Sequence, residues 1–101
     1  MSQNFRPPKK SLEDFCRRHH IRKLSFFGSV LRKDFNQSSD VDVLVEFESM
    51  NTPGLIGLAR IELELSEIFG GRPVDLHTPA DLSRYFRAEV METAEVQYAQ
   101  R

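Results

Sequence analysis

The chain has 101 residues, 40% of them hydrophobic, and a formal net charge of −1. This size suits one small domain, and the charge argues against a protein that grips a polyanion through overall positive charge. A single cysteine excludes an intramolecular disulfide and fits a reducing compartment. We expect a cytoplasmic protein, because residues 1–10 lack the apolar stretch of a signal peptide and no apolar run approaches the ~20 residues of a membrane span.

The N-terminal elements are predicted from capping and apolar runs. Residues 1–10 are predicted to form a flexible tail, and residues 11–101 a single domain. Ser11 is predicted to begin the first helix, with Asp14 three residues later in a capping-box-like pattern. Large apolar residues predict a first strand over residues 21–27.

A small-residue turn and a pair of aspartates come next. Gly28 and Ser29 follow the first strand, a helical turn is predicted over residues 30–33, and a strand over residues 40–48. In that strand Asp40 and Asp42 would share one face while the valines between and after them enter the core. Adjacent carboxylates repel each other unless a cation lies between them, and Mg²⁺, which takes oxygen ligands, is the natural cation.

The C-terminal half alternates between helix and strand. Apolar residues at helical spacing predict a long helix over residues 55–69, ended by a pair of glycines. A short strand over residues 73–77 follows. Thr78 then resembles the N-cap of a helix covering about residues 83–91. Residues 96–98 form either a last edge strand or the end of that helix.

These motifs resemble a known family. The stretch Phe27-Gly28-Ser29, ten further residues, and Asp40-Val41-Asp42 resembles the signature of the polymerase-β-type nucleotidyltransferase superfamily. Residues 24–47 resemble more closely the minimal nucleotidyltransferase (MNT) domains that form the antitoxin half of HEPN–MNT toxin–antitoxin pairs. The resemblance covers roughly residues 12–98 and continues through Thr52-Pro53-Gly54, Pro73-Val74-Asp75-Leu76 and the segment 82–90. It implies an α/β (α+β) fold of the polymerase-β-like type, a small mixed sheet backed by helices on one face.

Nucleotidyl transfer needs a cradle for the triphosphate, a metal ion and a base for the attacking hydroxyl. The glycine of the turn permits close approach of the backbone to a phosphate, and the Ser29 hydroxyl and amide can donate to it. Arg32 is predicted to reach phosphate oxygens from the following turn, although a solvated surface arginine is almost as good an interpretation.

The metal is predicted to be held by three carboxylates. Asp40 and Asp42 would hold two Mg²⁺ ions. Asp75 lies between Val74 and Leu76, so its side chain faces opposite to theirs in a strand. From the sequence alone, a solvated residue and a functional one are equally good interpretations of Asp75. The resemblance implies that Asp75 is the third metal ligand and helps to deprotonate the acceptor hydroxyl.

The resemblance implies an antitoxin that transfers AMP from Mg·ATP to a tyrosine hydroxyl of a cognate HEPN-type ribonuclease toxin. Neither direct nucleic-acid binding nor a membrane partner is expected. Two alternatives remain open, namely a non-catalytic antitoxin that acts by occlusion, and a small-molecule nucleotidyltransferase subunit. We expect the acceptor surface to come from another protein, because 101 residues leave no room for an acceptor-binding domain.

Overall fold

The structure is a computed structural model that describes residues 6–31, 40–48, 50 and 52–100. Three α-helices, one short 3₁₀ helix and four strands make up this part of the chain. They are α1 (Lys9–Arg18), β1 (Ile21–Phe27), the 3₁₀ helix (Gly28–Leu31), β2 (Val41–Phe47), α2 (Leu55–Ile68), β3 (Val74–His77), α3 (Arg84–Thr93) and β4 (Glu95–Ala99). No helix in the described residues is long and apolar enough to cross a membrane.

The four strands form one mixed sheet in the order β3-β2-β1-β4. The central strand β1 pairs antiparallel with both β2 and β4, whereas β2 pairs parallel with β3. The predicted mixed sheet of an α+β fold is therefore confirmed. Residues 96–98, for which two interpretations were open, belong to the edge strand β4.

One face of the sheet holds the main core. Val41, Val43 and Val45 alternate along β2, are fully buried, and belong to one apolar cluster with residues of α1 and α2. Phe15 and Leu65 are the largest fully buried side chains that these two helices contribute. The prediction that the odd-numbered residues of β2 enter the core is confirmed.

The opposite face carries a second, smaller cluster that covers only part of the sheet. Phe27 and Leu44 point away from the main core. They pack with Leu82, which lies just before α3, and with Val90, which lies within it. The expected backing of one face by helices thus applies to α1 and α2, while α3 lies on the opposite face. Because Phe27 and Leu44 are apolar on the second face, they need a cover, and α3 supplies it.

The first helix begins two residues earlier than predicted. Pro8 has an extended conformation at the N-cap, and its carbonyl accepts a hydrogen bond from the amide of Leu12. Lys9 and Lys10 therefore belong to α1 and not to the predicted tail. Ser11, the predicted start, lies within the helix, since proline is well suited to the positions just before or at the start of a helix.

The last helix begins later than the Thr78 signal suggested. The carbonyl of Thr78 accepts from the amide of Asp81 at 3.0 Å, which closes a turn and not a helix. The N-cap is Ser83, whose hydroxyl accepts from the amide of Phe86 at 3.3 Å. This turn places Asp81 next to the end of β3, which matters for the site described below.

The edge strand β3 is attached to α2 by a side chain. The amide of Leu76 donates to the Oε2 of Glu62 at 2.9 Å, so one backbone donor on this strand has a carboxylate partner. Because β3 lies at one end of the sheet, this bond helps to fix the position of Asp75, the residue before Leu76.

Candidate active site

The turn after β1 brings the backbone against a carboxylate. Gly28 has a φ of +70°, and its predecessor Phe27 is paired with Asp42 across the sheet. A Cβ at position 28 would overlap the Oδ2 of Asp42. Glycine is therefore needed here both for its left-handed backbone and for the space that Asp42 occupies. The side chain of Ser29 is not described by the structure, so its role in holding phosphate stays a prediction.

Two of the predicted acidic residues lie side by side. Asp42 of β2 and Asp75 of β3 are partners in the register of two parallel strands. Neighbouring strands lie about 4.8 Å apart, so two carboxylates on the same face at this spacing repel each other when both are ionised. Asp75 is the more exposed of the two, at 53% for its side chain.

A histidine joins this pair. The Nε2 of His77 lies 3.1 Å from the Oδ2 of Asp75, and its Nδ1 lies 2.9 Å from the Oδ2 of Asp81. The ring also contacts Phe27, with 5.6 Å between the two centroids. Burial by itself lowers the pKa of His77, but the hydrogen bonds and charges of Asp75 and Asp81 outweigh it and raise the pKa above its ordinary value.

The donor set fits a divalent cation. Asp42, Asp75 and His77 each offer one ligand atom, and these atoms lie within 4.8 Å of one another. Carboxylate oxygens suit Mg²⁺ and Mn²⁺, and imidazole nitrogen suits transition metals. The open face of Gly28 keeps this space free of side-chain atoms from the turn.

Asp40 is a predicted metal ligand that the group of three does not include. It is exposed and lies just before β2, which begins at Val41. Its role as a metal ligand stays a prediction, and Arg32 lies outside the described residues.

A cleft of about 600 Å³ opens beside these groups. It is bounded on one side by the sheet and the turn, and on the other by α3. The residues that line it are Phe27, Gly28, Leu31, Asp42, Asp75, His77, Phe86, Glu89, Val90 and Thr93. None of these described lining residues is a lysine or an arginine, so a triphosphate in this cleft needs a cation to offset the carboxylates.

Sequence reasoning missed His77 and the contribution of α3. His77 could have been found, because it lies two residues after Asp75 in a predicted strand and therefore shares its face. Phe86, Glu89 and Thr93 could not, since nothing local in the sequence shows which face of the sheet α3 covers.

The mixed sheet, the left-handed glycine turn and the two carboxylates in register define a nucleotidyl-transferring class of enzyme. The family model described as nucleotidyltransferase domain matches residues 8–96. The chain therefore belongs to the nucleotidyltransferase-domain family, and the resemblance seen in the sequence is confirmed at this level.

Three similar proteins illustrate the relationship. A Methanocaldococcus jannaschii protein, provisionally named a protein adenylyltransferase, is 29% identical over 91 residues, which are 90% of this chain and 95% of that protein. The protein adenylyltransferase MntA of Thermococcus cleftensis is 38% identical over 68 residues, 67% of this chain and 63% of that one. A crystal structure of a toxin–antitoxin with AMP-PNP contains a similar chain, with a TM-score of 0.74, 17% identity, and coverage of 92% of this chain and 74% of that one. At this identity the last likeness concerns the fold.

Proposed function

We propose that this chain is an antitoxin enzyme that transfers AMP from Mg·ATP to a tyrosine hydroxyl of a cognate HEPN-type ribonuclease toxin, and so silences it. The observation on which this rests is the pairing of Asp42 with Asp75 next to Gly28, in a chain of the nucleotidyltransferase-domain family. The names of the relatives support protein as the acceptor and a toxin as the partner.

The reaction forms one bond and breaks another at the α-phosphorus. The tyrosine oxygen attacks this atom, the bond to the bridging oxygen of the β-phosphate breaks, and pyrophosphate leaves. Mg²⁺, when bound, would neutralise the negative charge that develops on the phosphate oxygens. We propose that two Mg²⁺ ions would be held by Asp40, Asp42 and Asp75.

Asp75 is the proposed acceptor of the tyrosine proton. Its carboxylate is the more exposed of the aligned pair and lines the open side of the cleft, where a hydroxyl from another protein can approach it. The 3₁₀ helix that begins at Gly28 supplies the backbone amides that we propose donate to the phosphates of ATP. Ser29 and Arg32 complete the proposed phosphate contacts.

The test compares chemistry with occlusion. Asp42→Asn with Asp75→Asn preserves the shape of both side chains but removes the charges that hold the metal. Wild-type protein with Mg·ATP and the purified toxin should add one or more AMP masses to a toxin tyrosine, and the double variant should add none. Asp14→Asn, an exposed change on α1, serves as the matched control and should behave as wild type.

The outcomes separate the alternatives. If the double variant still binds the toxin and silences it fully at ordinary expression, the protein acts by occlusion and the catalytic proposal fails. If wild-type protein modifies a small molecule and leaves the toxin unmodified, the acceptor is not a protein.

A further inference from the structure

His77 has the surroundings of a metal-bound histidine. Its ring is held on two sides, by Asp81 at Nδ1 and by the ring of Phe27 in a T-shaped contact. Only a quarter of the side chain is exposed. The remaining nitrogen, Nε2, lies 3.1 Å from the Oδ2 of Asp75, and the ring offers one nitrogen within 4.8 Å of an oxygen of Asp42 and an oxygen of Asp75.

The contact with Asp81 determines what Nε2 can do. A carboxylate at 2.9 Å from Nδ1 accepts a hydrogen bond from this nitrogen. In the neutral ring a proton on Nδ1 leaves the lone pair of Nε2 available to a ligand. Histidines that bind metals nearly always donate their other ring N–H to a carboxylate, a carbonyl or water, and this bond fixes the tautomer and the ring orientation.

The distances within the group fit one coordination sphere. Two ligands at right angles around an ion, each about 2.1 Å from it, lie about 3.0 Å apart. The separation of Nε2 from the Oδ2 of Asp75 is 3.1 Å. The three ligand atoms all lie within 4.8 Å of one another. This distance is a little longer than the roughly 4.2 Å that separates two ligand atoms on opposite sides of one ion. Small side-chain rotations are enough to close the group around an ion.

We propose that Nε2 of His77 is a direct ligand of the divalent metal held by Asp42 and Asp75, and that Asp81 is a positioning residue that fixes the imidazole for this role. The inference rests on the proposed function, because the metal belongs to it. A mixed nitrogen and oxygen donor set favours a transition ion such as Mn²⁺ over Mg²⁺, which prefers oxygen ligands and keeps its waters.

The alternative is a purely structural histidine that bridges two carboxylates and never touches the metal. Electron spin echo spectroscopy of bound Mn²⁺ distinguishes the two, because a directly bound imidazole nitrogen modulates the echo. The measurement uses the protein in excess over Mn²⁺, without nucleotide or toxin. It therefore tests the ligand independently of whether the transfer reaction occurs.

The wild-type protein should show ¹⁴N modulation from histidine, and selective ¹⁵N labelling of histidine should replace it with the ¹⁵N pattern. This comparison needs no substitution and so cannot be lost to misfolding. His77→Asn, which keeps a hydrogen-bonding group near Asp81 but removes Nε2, should lose the modulation and bind Mn²⁺ at least about 10-fold more weakly. His20→Asn is the matched control, because His20 has a φ of 58° that asparagine tolerates, and it should retain both properties.

Asp81→Asn separates positioning from ligation. It should keep the modulation but lower Mn²⁺ affinity about 10-fold to 100-fold. In the wild-type protein, Mn²⁺ should displace Mg²⁺ from the site. His77→Asn should reduce this preference for Mn²⁺ over Mg²⁺. Absence of histidine modulation in the wild-type complex, or unchanged Mn²⁺ affinity in His77→Asn, would overturn the proposal.

Discussion

Gly28 meets two constraints at one position, and they can be measured separately. Its φ of +70° is strained for any residue with a Cβ, and Asp42 occupies the place where that Cβ would be. The overlap with Asp42 indicates that a substitution here lowers stability as well as altering the site.

We expect Gly28→Ala to lower the free energy of unfolding by about 1–2 kcal/mol for the backbone conformation, with an added loss from the overlap. Gly70→Ala is the matched control, because Gly70 has a φ of +76° and no neighbour within 4 Å of an added Cβ. Urea denaturation of both variants measures the difference. A Gly28→Ala loss no larger than that of Gly70→Ala would show that Asp42 moves away at no cost.

Which site residues the sequence revealed depends on how local their geometry is. Alternation within a strand predicted the face of Asp42 and of Asp75, whereas the assignment of Asp75 to the site came from the family resemblance. Asp40 lies one residue before β2 begins, so its place beside Asp42 stays a prediction. Asp81 follows the predicted N-cap residue Thr78 by three positions, and its contact with His77 depends on a turn that the sequence pattern did not reveal.

At the scale of elements, apolar patterns predicted β1, β2, β3 and α2 to within a residue or two, whereas β4 was left open between a strand and a helix end. The position of α3 could not be predicted, because Leu24, Ser25, Phe26 and Phe27 are all buried. A strand buried on both faces has no alternation that would show which helix covers which side. The place of α3 depends on long-range packing, and with it one wall of the cleft.

The link between α2 and β3 gives a prediction about the edge of the sheet. Glu62→Ala removes the acceptor of the Leu76 amide, whereas Glu62→Gln keeps an oxygen that can accept. We expect the Leu76 amide to exchange with solvent faster in Glu62→Ala than in Glu62→Gln, with a stability loss of about 1–3 kcal/mol. Hydrogen exchange followed by NMR measures it. Equal exchange rates in the two variants would mean that this carboxylate does not anchor β3.

A second link, between α1 and α2, predicts a dependence on pH. Glu64 contacts Arg18 and also His19, whose Nε2 lies 2.9 Å from its Oε1. Burial by itself raises the pKa of Glu64, but the hydrogen bonds and charges of Arg18 and His19 lower it overall. A carboxyl whose pKa is lower in the folded than in the unfolded state stabilises the fold above its unfolded pKa of about 4.3. That stabilisation is lost as the pH falls through the folded pKa.

Glu64→Gln should therefore reduce stability at pH 7 and make no difference well below the folded pKa. We expect a loss of about 0.2–1 kcal/mol, since Arg18 is more than half exposed and water screens the pair. Urea midpoints between about pH 7 and pH 3 give the measurement. Glu67→Gln, an exposed change on the same helix, is the control. A Glu64→Gln loss that grows as the pH falls would contradict the assigned direction.

At the scale of the molecule, the two faces of the sheet have different tasks. One face is closed by α1 and α2 around the main core, and the other is covered by α3 only in part, which leaves the cleft open beside Asp42 and Asp75. Stability thus comes mainly from one side and the site lies on the other. Charge substitutions in the cleft can for this reason change ligand binding with little effect on the main core.

This separation allows a test of how the cleft accepts ATP. Without a divalent cation, the carboxylates of Asp42 and Asp75 repel the triphosphate, and no lysine or arginine among the described lining residues offsets them. The double variant Asp42→Asn with Asp75→Asn lacks both charges. Metal-free ATP should therefore bind it about 10-fold more tightly than it binds wild type. The basis is that two unit charges about 4 Å apart near a protein surface interact by ~1–4 kcal/mol. With Mg²⁺ present the order should reverse, since the amides cannot replace the charges that hold the ion. Calorimetry in EDTA and in Mg²⁺ measures both affinities, with Asp14→Asn expected to follow wild type in each. The same order of affinities in both conditions would show that these carboxylates do not hold a metal ion against the triphosphate.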